Sequence, residues 1–265
     1  MKRSILCMTI SLALIGCKEQ SNSPLNPQAQ ATKDVVERVV THQQSGYGSV
    51  GINNSWPAVS EQDIEVSNNL LASNYYLVLD GSGSMDRTSC GAGQRRIDVA
   101  KTALSTFVSS LPNDAQIGLY VFDGRGANER AALKAGGEHK QFVIDQIKLV
   151  EPNDGTPLGA SLIEAYNSLT AQAKKQLGYG TFHSVIVTDG DAGDTGLMNR
   201  MVDKIVGETA INLHTMGFCI GASHALNRQG YVNYQSASNA EQLLAGLSSV
   251  TAEAEAFNVD TEFKE

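Results

Sequence analysis

The stretch Asn74-Tyr75-Tyr76-Leu77-Val78-Leu79-Asp80-Gly81-Ser82-Gly83-Ser84-Met85 governs the reading of everything around it. Tyr75 to Leu79 is a short apolar run without polar alternation, the pattern of a strand buried on both faces. The run stops at an acid, after which glycines and serines alternate. Gly81 and Gly83 let the backbone turn without a Cβ clash, so Asp80, Ser82 and Ser84 sit on a loop able to curl around a point. One carboxylate and two hydroxyls are hard oxygen donors, suited to Mg²⁺, Mn²⁺ or Ca²⁺ and poorly suited to zinc.

Downstream, strands and helices alternate. Ile97, Ala100, Leu104, Phe107, Val108 and Leu111 follow helical spacing until Pro112-Asn113 stops them. Ile117 to Phe122 is a second strand, and His139 to Ile147 predicts a helix. Leu158, Leu162, Ala165 and Leu169 mark a long helix with Pro157 in its first turn. Val185 to Val187 form a third buried strand, closed by Thr188-Asp189-Gly190. Leu197, Met201 and Ile205 predict a helix and Ile211 to Phe218 a strand. Ser238 and Glu241 read as a capping box for a last helix carrying Leu243, Leu244, Leu247 and Val250. This alternation predicts an α/β, doubly wound, mostly parallel central sheet flanked by helices on both faces. Such sheets carry their sites at the carboxyl ends of the strands, which brings Thr156 and Asp189, on two further strand-end loops, toward Asp80.

Three separated motifs then carry a resemblance. Asp80-x-Ser82-x-Ser84, Thr156 within Asp154-Gly155-Thr156-Pro157-Leu158-Gly159, and Asp189 within Val187-Thr188-Asp189-Gly190 resemble the metal-ion-dependent adhesion site of von Willebrand factor type A domains. The resemblance runs from about Asn74 to Val250. It implies that Ser82, Ser84 and Thr156 bind a divalent ion through hydroxyls, Mg²⁺ ahead of Mn²⁺ or Ca²⁺, while Asp80 and Asp189 act through ordered water. It also implies a protein partner whose Asp or Glu carboxylate takes the remaining coordination position. Asp191 and Asp194 add negative charge nearby and read as a solvated, helix-starting loop rather than a second calcium site.

Composition limits the alternatives. The chain has 265 residues and a formal net charge of -8, so no basic surplus exists for nucleic acid. The amino terminus reads as an export signal, with Lys2 and Arg3 before an apolar stretch too short to span a bilayer. It ends in Leu14-Ile15-Gly16-Cys17, which resembles a bacterial lipobox, so Cys17 is the expected lipidation site. That predicts a lipid-anchored envelope protein, with the outer membrane or periplasm-facing side favoured. The expected organisation is a signal at 1–16, a tether at 17–31, an extension at 32–73, the type A domain at 74–250 and a tail at 251–265. Within the extension, Thr32 is expected to cap a short helix and Trp56 to anchor packing. Cys90 and Cys219 remain as a candidate disulfide in an oxidising compartment. The five histidines read as core or surface residues. An envelope assembly scaffold is the alternative function. A Mg²⁺-dependent hydrolase fits less well, because Ser82 stands where aspartyl-nucleophile phosphatases carry a second acid.

Overall fold

The structure, a computed structural model, describes residues 56–58, 64–153 and 155–256, with backbone alone for 252–256. The export signal, Cys17, the tether, the Thr32 helix and most of the extension, Asp154 and the end of the tail lie outside the described residues. Among the described residues, six strands, β1 (Ser73–Asp80), β2 (Gln116–Asp123), β3 (Gly126–Lys134), β4 (Thr181–Thr188), β5 (Ile211–Phe218) and β6 (Asn233–Ala237), form one sheet. Its order is β3-β2-β1-β4-β5-β6. All neighbours run parallel except β3, which is antiparallel to β2.

Among the described residues, five helices cover the sheet: α1 (Arg96–Ser110), α2 (Gly137–Lys148), α3 (Leu158–Lys175), α4 (Thr195–Glu208) and α5 (Ala240–Ala256). Alternate residues of the central strands divide between two cores. Tyr75, Leu77 and Leu79 pack with Leu104 and Phe107 of α1, Ile147 of α2 and Leu247 of α5. Tyr76 and Val78 pack on the other face with Leu162 and Leu169 of α3 and Val202 of α4. Because β1 and β4 have strands on both sides and helices on both faces, their central runs, Tyr75 to Leu79 and Val185 to Val187, are apolar, while Asn74, His183 and Ser184 are buried polar residues nearer the strand starts. Trp56 joins the second core, edge-on to Phe182 at 5.2 Å, with its indole N–H donated to Thr170 Oγ1 at 3.1 Å. No helix among the described residues is long and apolar enough to cross a membrane.

Three local expectations shift, and two strands were not foreseen. The β3 and β6 strands carried no apolar signature, because both are sheet edges and mostly exposed or half-buried. Pro157 lies one position before α3 rather than within its first turn. The buried stripe of α4 is Met198, Val202 and Ile205, one notch round from Leu197 and Met201. The last helix is capped one residue later than expected: Asn239 Oδ1 accepts the Gln242 amide at 2.9 Å, and Gln242 Oε1 accepts the Ser238 amide at 2.7 Å. The reciprocal logic of a capping box survives with an amide pair in place of Ser238 and Glu241.

Candidate metal centre

The chain order reverses between β1 and β4, with β2 and β3 on one side and β5 and β6 on the other. Loops leaving adjacent strands diverge at such a point and open a crevice. Four of the five expected residues meet there. Asp80 ends β1 with its side chain buried. Its Oδ1 accepts the Ser82 amide at 2.7 Å and its Oδ2 accepts the Thr188 hydroxyl at 2.6 Å. Burial pushes the Asp80 carboxyl up to about 6, opposed by the bonds from Ser82 and Thr188 and reinforced by the nearby Asp189 charge. Ser82 Oγ lies 3.1 Å from Ser84 Oγ, and Ser84 Oγ donates to Asp189 Oδ1 at 2.5 Å. A short 3₁₀ turn, Gly83–Asp86, with Met85 buried beneath it, holds the two serines in this attitude.

Thr156 occupies a neighbouring loop, half-buried. Among the described residues, no hydrogen bond joins its hydroxyl to the other four. Its loop is nevertheless tied to theirs through the main chain. The Gly193 amide donates to Thr156 O at 2.9 Å, and the Asn153 amide donates to Gly81 O at 2.9 Å. Gly81 is required here, since a Cβ would come within 2.8 Å of Asp123 Cβ and of Phe122 O. A cavity of about 310 Å³ opens beside Thr156, lined by Phe122, Ala127, Pro157 and Asp194 among others.

Sequence reasoning missed several supporting residues. Arg96, at the start of α1, donates through Nη1 to Asp189 Oδ2 at 2.7 Å, with the two side chains only 7% and 0% exposed. The clue was available: two consecutive arginines at a helix amino terminus oppose the helix dipole and need carboxylate partners. Arg95 finds Asp98, Asp86 and Glu151 near the surface, while Arg96 turns inward. Thr188, already visible in its motif, secures Asp80. Asp194 begins α4, as expected of a helix-starting residue. Its carboxylate, however, accepts the Gly159 and Ala160 amides at 2.8 and 2.9 Å and so caps α3 instead. His224 donates Nε2–H to Gly190 O at 3.0 Å and braces the Asp189 loop. Cys90 and Cys219 are bonded, with Cα atoms 5.9 Å apart, and join the loop before α1 to the end of β5.

The oxygens gathered here are those of two carboxylates and of hydroxyls. Among the described residues, no three His, Cys, Asp or Glu side chains converge as a metal-holding group.

Residues 75–190 match the family model of the von Willebrand factor type A domain. A curated relative, the uncharacterized protein YwmC of Bacillus subtilis (strain 168), is 26% identical over 132 residues, covering 44% of this chain and 54% of YwmC. The chain thus spans about half the length of that relative. The fold is similar to the vWF domain of the type V pili tip protein Mfa5 from Porphyromonas gingivalis, with a TM-score of 0.53 and 13% identity over 74% of this chain and 98% of that one. It is similar as well to the manganese-loaded TRAP protein of Plasmodium vivax, with a TM-score of 0.50 and 19% identity over 67% of this chain and 72% of that one.

Proposed function

We propose that this domain is a divalent-cation-dependent protein-binding or adhesion module, anchored to the bacterial envelope through lipid on Cys17. Asp80, Ser82, Ser84, Thr156 and Asp189 hold the ion, and an Asp or Glu of the partner protein completes its shell. The observation that carries the reading is the oxygen cluster itself. Adjacent ligands of an octahedral ion with bonds near 2.0–2.1 Å stand roughly 3 Å apart, and Ser82 Oγ and Ser84 Oγ lie 3.1 Å apart. Asp80, Ser82 and Asp189 are buried while Ser84 is half-buried, so the cluster of four has a closed floor and an open rim, with half-buried Thr156 on the neighbouring loop. The bound ion supplies a positive field at that rim, which attracts an external carboxylate.

The manganese bound by the TRAP neighbour and the pilus-tip setting of the Mfa5 neighbour agree with this reading. The deciding experiment is thermal unfolding with and without Mg²⁺ or Mn²⁺. Wild type should be stabilised by either ion, and Asp80→Ala should keep its fold yet lose that response. An unchanged ion response in Asp80→Ala would reject the site.

A further inference from the structure

We infer that Arg96 is a built-in counter-cation of this site: it holds the ion's field one charge short of neutral and thereby directs the domain toward acidic partners. The inference rests on the metal-binding reading above and adds a residue that none of the motifs contains.

The geometry gives Arg96 little freedom. Its Nη1 sits 2.7 Å from Asp189 Oδ2, while the other Asp189 oxygen accepts the Ser84 hydroxyl. Its Nε and Nη2 are occupied on the opposite side. Nη2 donates to Ser89 Oγ at 2.5 Å and lies 3.2 Å from Cys219 Sγ, and Nε donates to Ser89 O at 3.3 Å. Ser89 precedes Cys90, so the disulfide to Cys219 secures the very loop that grips the guanidinium. Arg96 is a fixed charge, buried where solvent screens it little.

Charge counting gives the consequence. Asp80 and Asp189 together balance a divalent ion, and Ser82, Ser84 and Thr156 are neutral. Arg96 adds a positive charge in contact with one of the two carboxylates. Ion, aspartates and arginine then sum to one net positive charge, which an incoming Asp or Glu side chain cancels. Without Arg96 the loaded site is neutral, holds its ion more firmly and attracts a carboxylate less. Arg96 is thus a positioning residue for Asp189 that exchanges ion affinity for partner affinity. Its placement at the amino end of α1, where the helix dipole disfavours a cation, is offset by this pairing.

The test uses the full chain in detergent, with Mn²⁺ as the ion and acetate as the carboxylate. Free Mn²⁺ is counted by electron paramagnetic resonance, and acetate binding to the Mn²⁺-saturated protein is followed by water-proton relaxation. Arg96→Gln should bind Mn²⁺ on the order of tenfold more tightly and acetate on the order of tenfold more weakly, as a nearby partly buried charge dictates. Arg96→Lys, which keeps the charge, should bind acetate like wild type. Arg95→Gln, which removes an equal charge at the surface, should change neither constant. Ser89→Ala, which loosens the grip without altering charge, should shift both constants in the direction of Arg96→Gln by a smaller factor, and it decides the matter if Arg96→Gln does not fold. If the informative variants weaken both ligands together, or move neither, Arg96 is only a structural brace. A wild type that binds no Mn²⁺ rejects the metal site itself, an outcome distinct from a Mn²⁺-binding wild type with unresponsive variants.

Discussion

The Asp194 carboxylate accepts the Gly159 amide at 2.8 Å across 35 positions of sequence. One acid thereby caps a helix to which it does not belong and clamps the loop carrying Thr156 against the loop carrying Asp189. The approach needs a glycine, because a Cβ at Gly159 would stand 2.5 Å from the Met198 amide nitrogen and 2.8 Å from Asp194 Oδ2. Removing a cap costs about 0.5–2 kcal/mol. Asp194→Ala should therefore lower stability by that amount in chemical denaturation, with Asp194→Asn less affected because it keeps one acceptor. Ion binding, measured separately, should weaken in Asp194→Ala as the Thr156 loop loosens. An ion affinity equal to wild type would detach this clamp from the site.

The bond between Cys90 and Cys219 closes a span of 129 positions. Loops of that length restrict the unfolded chain strongly, and losing such a bond costs about 2–5 kcal/mol. A Cys90→Ser, Cys219→Ser double variant should show a lower Tm by that measure, and wild type under reductant should match it. Equal melting of oxidised and reduced protein would mean that the bridge contributes nothing.

His183 and His214, on adjacent strands β4 and β5, meet ring to ring, with Nδ1 of the first 3.1 Å from Nε2 of the second. His183 also stacks on Tyr75 at 4.9 Å between ring centres. Burial pushes His183 down from 6.5 to about 3, with the neighbouring imidazole adding to the shift, and pushes His214 down to about 4. Below pH 6.5 the unfolded chain therefore takes up protons that the folded protein refuses, and stability falls as pH drops. Urea denaturation at pH 7, 5.5 and 4.5 should show a loss on the order of a few kcal/mol. His183→Gln, with one titrating ring fewer, should show a shallower decline. Parallel declines would assign the acid sensitivity to other groups.

Lipid attachment is the simplest to check. Labelled palmitate should enter wild type in cells and leave Cys17→Ser unlabelled. Equal labelling would remove the proposed anchor.

Much of this molecule was written in local spacing. The apolar runs of β1, β4 and β5, the helical stripe of α1, and the placing of Asp80, Ser82, Ser84 and Asp189 at strand ends follow from period and residue type. Backbone geometry repeats every two or 3.6 residues, so a buried face leaves its imprint within a few positions. The exposed edges β3 and β6 bury too little to leave one, and the α5 cap lay a single residue away from its nearest look-alike.

Tertiary structure alone decided who meets whom. Arg96 reaches Asp189 across 93 positions, Thr188 reaches Asp80 across 108, and Asp194 turns from its own helix to another. These pairings depend on β1 lying beside β4 and on where each crossover sets its loop down. No local period records strand order, because order is settled by packing elements that are distant along the chain.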